Sequence, residues 1–340
     1  MSTKDIFDNP FDEDTLAKLE IFEKYVETWL PTFIMGKVSK PIQIFDLFAG
    51  SGYDKTGVPG SPIRILEVIN KHRRILVLTG KKVKLFLNDS DAEKIIKLNV
   101  VVDEKIKELS LGSFVEVTYS KDSFKECLYD KHVADLKKGC NLIFIDQNGF
   151  KQVDEKIFQF LINLSHTDFI FFISSSYIHR FAQLAEVQKA HPKFDFDKIK
   201  NVSRKKVHNI ICEQYEKYVP RDIGSFGLYP FTIMKEDHNN IYGLIFVSKH
   251  ALGADKFLNT LWKKNAINGN ANFDIDDDLT KDQLDIFDGK RLTKIESFQK
   301  LLREKILKKE LKSNVDTYLY ALNQGHISHH ADVEIRKKKT

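Results

Sequence analysis

The amino-acid sequence predicts an α/β fold: a doubly wound, mostly parallel sheet with an antiparallel edge hairpin and a small basic helical segment at the C-terminus. Two patterns carry that expectation. Short, almost continuously apolar runs alternate with stretches of helical periodicity, as parallel strands buried on both faces do when crossover helices join them. Most of these runs end on acids, small polar residues or glycine, at the edge where such sheets present loops to a ligand.

Leu16, Leu19, Phe22, Val26 and Trp29 recur at three- and four-residue spacing and predict an amphipathic helix closed by Pro31. "PIQIFDLFA" then reads as a buried strand. "SPIRILEVINKHRRIL" follows as a helix, with Pro62 in its first turn and Ile65, Leu66 and Ile69 on one face. "KVKLFLND" is a second strand, "DAEKIIKLNVVVDEKIKEL" a helix, "SFVEVTYSKD" a third strand and "CNLIFIDQNG" a fourth. "KIFQFLINLSHT" is helical and "DFIFFISSS" is a fifth strand. Residues 180–222 look helical and polar, an insertion. "LYPFTIMKEDHNNIYGLIFVSKH" reads as a hairpin turning at "DHNN", and "ALGADKFLNTLWK" as a further helix. "NAINGNANFDIDDDLTKD" is polar and acidic and reads as a linker or an exposed loop. Beyond it lie "KIESFQKLLREKILKKELK" and two shorter helices, "NVDTYLYALNQG" and "SHHADVEIRKKK". Gly325 stops the first of these two and Ser328 starts the second, an arrangement compatible with a helix-turn-helix.

With 340 residues, 42% hydrophobic and 11% aromatic, the chain can bury a large core. It has no apolar run of about 18 residues, so no membrane span or membrane partner is expected. The beginning "MSTKDIFDNPFDED" is polar and acidic, without a signal-peptide core. Cys127, Cys140 and Cys212 form no CxxC pair, and a reducing, cytoplasmic setting with inert thiols is expected. The net charge of +5 is unevenly placed: residues 289–340 hold 13 Lys and Arg against 6 Asp and Glu. Attraction to a polyanion therefore belongs to the C-terminal segment, with Lys308, Lys309, Arg336 and Lys337 as its candidate nucleic-acid contacts; the alternative is a solvated, lysine-rich helix face.

The strand ends carry the candidate site. In "IQIFDLFAGSG", Gly50 and Gly52 lack a Cβ and let backbone approach a ligand closely. The string has no third glycine and no GxxxxGK[ST], so it is neither an ATPase-type phosphate loop nor a good dinucleotide fingerprint. It resembles motif I of class I S-adenosylmethionine-dependent methyltransferases, "DLFAGSG" being like the nucleic-acid-modifying ones. That resemblance implies S-adenosyl-L-methionine as cofactor, with Asp46, Phe48, Gly50 and Gly52 under its methionine part. Asp89 or Asp91, in "LFLNDSD", would then accept from the ribose hydroxyls, and Asp122, in "VTYSKDSF", would lie where the adenine amine is read. After the fourth strand, amino-directed methyltransferases carry [DNS]-P-P-[YF]. Here the string is "FIDQNGF", in which Asp146 and Phe150 are the candidate catalytic acid and aromatic, without either proline and with one more residue between them.

Several segments together resemble the three-Cys-motif partner (TcmP) family: "KYVETWLP", "DLFAGSGYDKTGVPGSPIRILEVI", "LNDSD", "IFIDQNGF", "FIFFISSSYIHRF", "YGLIFVSKHALGADKFLNTLW" and "NQGHISHHADVEIRK". They span roughly residues 16–340. The family has D-P-x-G more often at the fourth strand, where this chain has Gln147. The resemblance implies a usually bacterial protein found with a partner that bears a three-cysteine, radical-SAM-like motif. The expected domains are 14–264, methyltransferase-like with a helical insertion at about 180–225; 265–282, a linker; and 283–340, a basic helical or winged-helix-like unit. The expected function is S-adenosylmethionine-dependent methylation of DNA or RNA. The alternatives are a methyltransferase-like module that binds nucleic acid or its partner without catalysis, and a nucleotide-binding or nuclease component of a phage-defence cassette. Arg64 is either a bidentate donor to an anion or a helix-surface residue. His326, His329 and His330 lack the further ligands of a metal site and are expected on a polar, nucleic-acid-facing helix. The "SSS" after the fifth strand has no GxSxG context.

Overall fold

The computed structural model describes residues 9–147, 149–235, 240–280 and 291–337. In chain order the elements are α1 (Glu13–Ile34), β1 (Ile42–Asp46), α2 (Ser61–Lys71), α3 (Arg73–Thr79), β2 (Val83–Asn88), α4 (Ala92–Glu108), β3 (Val115–Ser120), α5 (Phe124–Glu126), α6 (Val133–Lys138), β4 (Cys140–Ile145), α7 (Glu155–Asn163) and β5 (Thr167–Ile173). Then come α8 (Ser175–Arg180), α9 (Ala185–Ala190), α10 (Phe196–Asn201), α11 (Val207–Glu216), β6 (Gly227–Met234), β7 (Ile241–Ser248), α12 (Ala251–Lys264), α13 (Lys294–Leu307), α14 (Asn314–Asn323) and α15 (Ser328–Lys337).

The strands form one sheet in the order β3-β2-β1-β4-β5-β7-β6. β1 to β5 are parallel. β7 runs antiparallel to both β5 and β6, so β6 points the same way as the first five. The sheet is the doubly wound, mostly parallel one with an edge hairpin that the sequence predicts. Strand order reverses between β1 and β4, which puts the switch point, the usual ligand crevice, directly beside "DLFAGSG". No described helix is long and apolar enough to cross a membrane.

Successive strand residues point to opposite faces. Ile42, Ile44, Leu142 and Phe144 pack against a layer that includes α1, α2 and α12, where Phe22 stacks on Phe144 at 4.1 Å. Phe45, Ile143 and Ile145 meet the opposite layer, centred on α7 and α11.

Several expectations are corrected. Pro31 does not close α1, which continues to Ile34; the proline lies in the last turn, where its carbonyl takes the Met35 N–H. The "SPIRILEVINKHRRIL" helix is two, α2 and α3, broken at His72. Residues 180–222 are more than a polar insertion: Ile199, Val207, Ile211, Tyr215 and Tyr218 are fully buried in the second core layer. Nor are residues 265–280 a free linker. Thr232 of β6 exchanges backbone hydrogen bonds with Asn270 and Asn272, so this segment covers the sheet edge, and buried Asn268 holds its turn through the Asn270 and Ala271 N–H groups. The "DHNN" turn lies mostly outside the described residues, while the hairpin arms pair through Met234 and Ile241.

The three C-terminal helices share a small core of Phe298, Leu302, Ala321 and Ala331. They dock on α12 through Leu322 and the Trp262 indole, which donates to the Gly325 carbonyl at 2.9 Å. Gly325 has φ 72°, the left-handed conformation that ends α14. No strand accompanies these helices among the described residues, so the winged part of the expectation has no counterpart there.

Candidate functional site

The turn after β1 is held by its neighbours. Leu47 N–H donates to the Phe144 carbonyl and Ala49 N–H to the Asn88 carbonyl. Gly50 (φ 64°) gives its N–H to Asp89 Oδ2 at 3.1 Å. Gly52 has φ 94°, and a Cβ there would lie 2.7 Å from Val101 Cγ2 and 3.2 Å from Leu98 Cδ1. The second glycine therefore answers to the close approach of α4 as well as to the turn.

Asp46, the last residue of β1, is fully buried. Its Oδ1 accepts weakly from Phe48 N–H at 3.3 Å, and Oδ2 has no hydrogen-bond partner among the described groups. Burial pushes this carboxyl up to about 7; the Ser61 hydroxyl and Phe48 N–H offset part of the rise, and the charges of Asp146 and Asp89 add to it. Phe48 is half-buried and stacks on Phe124.

Of the two acids in "LFLNDSD", Asp89 reaches the glycine turn and also accepts from Asp91 N–H at 3.0 Å. Asp91 is exposed and is the N-cap of α4, accepting from Glu93 and Lys94 N–H. Asp122 is half-buried after β3, where its Oδ2 takes the Ser120 hydroxyl. Asn88, among the strand-end residues that the sequence places at the ligand edge, joins the three loops: its amide donates to the Leu47 and Asp122 carbonyls, and its Oδ1 accepts from Asp122 N–H.

After β4, Asp146 is met by a residue the sequence reading did not single out. Lys18 of α1 donates to both its oxygens, at 2.8 and 2.9 Å, and stands 4.2 Å over the Phe172 ring. Phe150 lies in the second core layer, stacked with the more exposed Tyr177. Gln147 is buried; its amide donates to the Phe172 carbonyl and its Oε1 accepts from Gln152 N–H, each at 2.8 Å. Ser174 N–H to the Gly149 carbonyl and His191 Nε2 to the Phe150 carbonyl complete the ties. Hydrogen bonds fix this loop where prolines would.

Arg64 pairs with Glu23 at 2.8 Å and donates to the Pro59 carbonyl, so its partner is internal. The histidine expectation is overturned for two of three residues. His326 and His330 are buried against Trp262 and Phe298 with their Nδ1 atoms 3.0 Å apart; only His329 is exposed. Lys308 and Lys309 are exposed at the end of α13; Arg336 and Lys337 end α15, and their side chains lie outside the described ones. The structure thus gathers Asp46, Gly50, Asp89 and Asp146 at the switch point, with Phe48 and Asp122 beside them. The Asp91 carboxylate instead caps α4, and the Phe150 ring packs in the second core layer.

No protein-family model and no curated protein matches the chain. Among solved structures it is similar to the methyltransferase domain of bacterial CtHen1, with 10% identity over 67% of this chain and 98% of that one and a TM-score of 0.35. It is also similar to a SAM-dependent methyltransferase of Methanosarcina mazei (12% identity, 63% and 95% covered, TM-score 0.30) and to one of Aquifex aeolicus (13%, 70% and 98%, 0.27).

Proposed function

We propose that the chain binds S-adenosyl-L-methionine at the β1–β4 switch point and is a methyltransferase-like protein of the three-Cys-motif partner kind, acting on DNA or RNA with a radical-SAM-like partner. One observation carries the cofactor reading: the buried Asp46 at the glycine turn, whose Oδ2 completes no hydrogen bond of normal geometry although the Ser61 hydroxyl is near the carboxyl, with Asp89 and Asp146 close enough to raise its proton affinity. A crevice with that charge favours a cation, and S-adenosylmethionine brings an ammonium and a sulfonium. Asp46 and the glycine turn would hold the methionine end, and Asp89 and Asp122 the adenosine. The cofactor's chemistry is donation of an electrophilic methyl group. The nucleic-acid part of the proposal rests on the exposed Lys308 and Lys309 and the basic composition of α13 to α15.

Lys18 pairing with both oxygens of Asp146 favours a second reading, in which the chain binds cofactor and nucleic acid without transferring methyl groups. Isothermal titration with S-adenosylmethionine tests the first step; no heat at millimolar ligand would remove the cofactor from the proposal. Labelled-methyl transfer to total DNA or RNA, lost in Asp146→Ala, would select catalysis over binding alone. A phage-defence role belongs to the same proposal, and a genomic neighbourhood without a three-Cys-motif protein would count against it.

A further inference from the structure

The segment just before and within the first turns of α1 spans the ligand edge of the sheet. At one end Phe11, itself buried, gives its N–H to Asp54 Oδ2 at 2.7 Å, in the loop that follows the glycine turn. Asp54 is itself fixed there, its Oδ1 accepting from the Thr56 and Val58 N–H groups. Within α1, Lys18 reaches Asp146 after β4, with side chains only 9% and 13% exposed. Asp12, next to Phe11 in the chain, pairs with Lys235, just beyond β6, at 2.9 Å, and Asp14 lies 3.9 Å from the same ammonium. β1, β4 and β6 all point toward this edge, so the three anchors bridge the C-terminal ends of strands from the sheet centre to its border.

We propose that Phe11–Lys18 is a strap across the mouth of the cofactor crevice, and that Lys18 is the positioning residue that latches it by occupying Asp146. The inference rests on the cofactor reading above. Its logic is electrostatic. Asp46, Asp89 and Asp146 concentrate negative charge at the switch point, and Lys18 is the cation bound directly to one of them. With Lys18 in place, each oxygen of Asp146 already accepts from the ammonium, which offsets its charge and weakens it as an acceptor for an incoming amine. When Lys18 leaves, Asp146 becomes a stronger acceptor as the mouth opens, because the same side chain does both. Cofactor exchange and exposure of the acceptor group are thus coupled through one ion pair.

The test uses the full chain and labelled S-adenosylmethionine chased with unlabelled ligand, alongside amide exchange at Phe11. Lys18→Met is expected to accelerate cofactor dissociation about tenfold, the factor carried by about 1.4 kcal/mol, and to deprotect the Phe11 amide. Lys18→Arg should restore both within about threefold, since guanidinium also pairs with a carboxylate in two-point fashion. Lys235→Ala, which loosens only the outer anchor, should give a smaller acceleration and guards against a Lys18→Met chain that does not fold. If Lys18→Met deprotects Phe11 without changing dissociation, the pair is merely structural and the latch is refuted; unchanged protection refutes it as well. Absence of cofactor binding by the unaltered chain sinks the cofactor reading itself, a result separable from both.

Discussion

A carboxyl sealed from water titrates late, and Asp46 does so because the sheet buries it at a strand end while its neighbours are also acids. Its ordinary value of 3.8 rises to about 7. The folded chain therefore holds this proton more tightly than the unfolded chain does. The stability this group contributes is complete below about pH 4 and is lost as pH rises through about 7. A cationic ligand acts in the opposite sense, since it favours the ionised form. Asp46→Asn is expected to raise the melting temperature relative to the unaltered chain at about pH 8 but not at about pH 4, and to weaken S-adenosylmethionine binding about tenfold or more. Titrations of the unaltered chain should show affinity growing from about pH 6 to about pH 8; a flat profile would mean that Asp46 does not face the cation. At this scale the sequence was legible where a residue's role is local: Asp46, Gly50 and Gly52 act within one turn. It was silent on Lys18, whose partner lies 128 positions away and whose own helix face reads as ordinary solvated charge.

At the level of elements, apolar continuity announced β1, β4 and β5 because they are buried on both faces, whereas β3, with Glu116 and Thr118 exposed at the sheet edge, shows alternation instead. The segment from Phe124 to Lys138 escaped because α5 and α6 are too short to show a helical period, although Ser123 and Glu126 form a capping box. The loop after β4 is the instructive case. Its missing prolines suggest slack in the sequence, yet Gln147 supplies one donor and one acceptor that tie the loop to β5 and to Gln152. Gln147→Ala would leave the Phe172 carbonyl and the Gln152 N–H without these partners. A loss of about 1–3 kcal/mol follows, the cost of orphaning buried polar groups, measurable by chemical denaturation and by faster amide exchange at Gln152. Unchanged exchange there would show that the loop owes its shape to its other ties, at Gly149 and Phe150.

For the molecule as a whole, the charge asymmetry of the sequence marks residues 289–340 as basic but gives no sign of the seam where α13 to α15 meet α12, since burial of a histidine leaves no mark on composition. That seam contains Trp262, Lys294, His326 and His330. Lys294 donates to the Asn268 carbonyl and lies 5.2 Å over the Trp262 ring. Burial, with the Lys294 charge adding, takes His326 down to about 3; burial, with His329 and Lys294, takes His330 down to about 4. Both rings are thus neutral in the folded chain, one Nδ1 donating to the other, while unfolding returns them to about 6.5. The sign is that of depressed bases: the docking contribution is complete above about pH 6.5 and is lost as pH falls through about 4. Trp262 and Trp29 are the chain's two tryptophans, so a Trp29→Phe chain reports on the seam alone. Its emission should shift to the red between about pH 6 and pH 4, before the sheet melts by far-UV circular dichroism. His330→Gln, which keeps a hydrogen-bonding side chain but cannot take up a proton there, should move that transition to lower pH. Coincident loss of fluorescence and sheet signal in both chains would instead make the C-terminal helices one cooperative unit with the sheet.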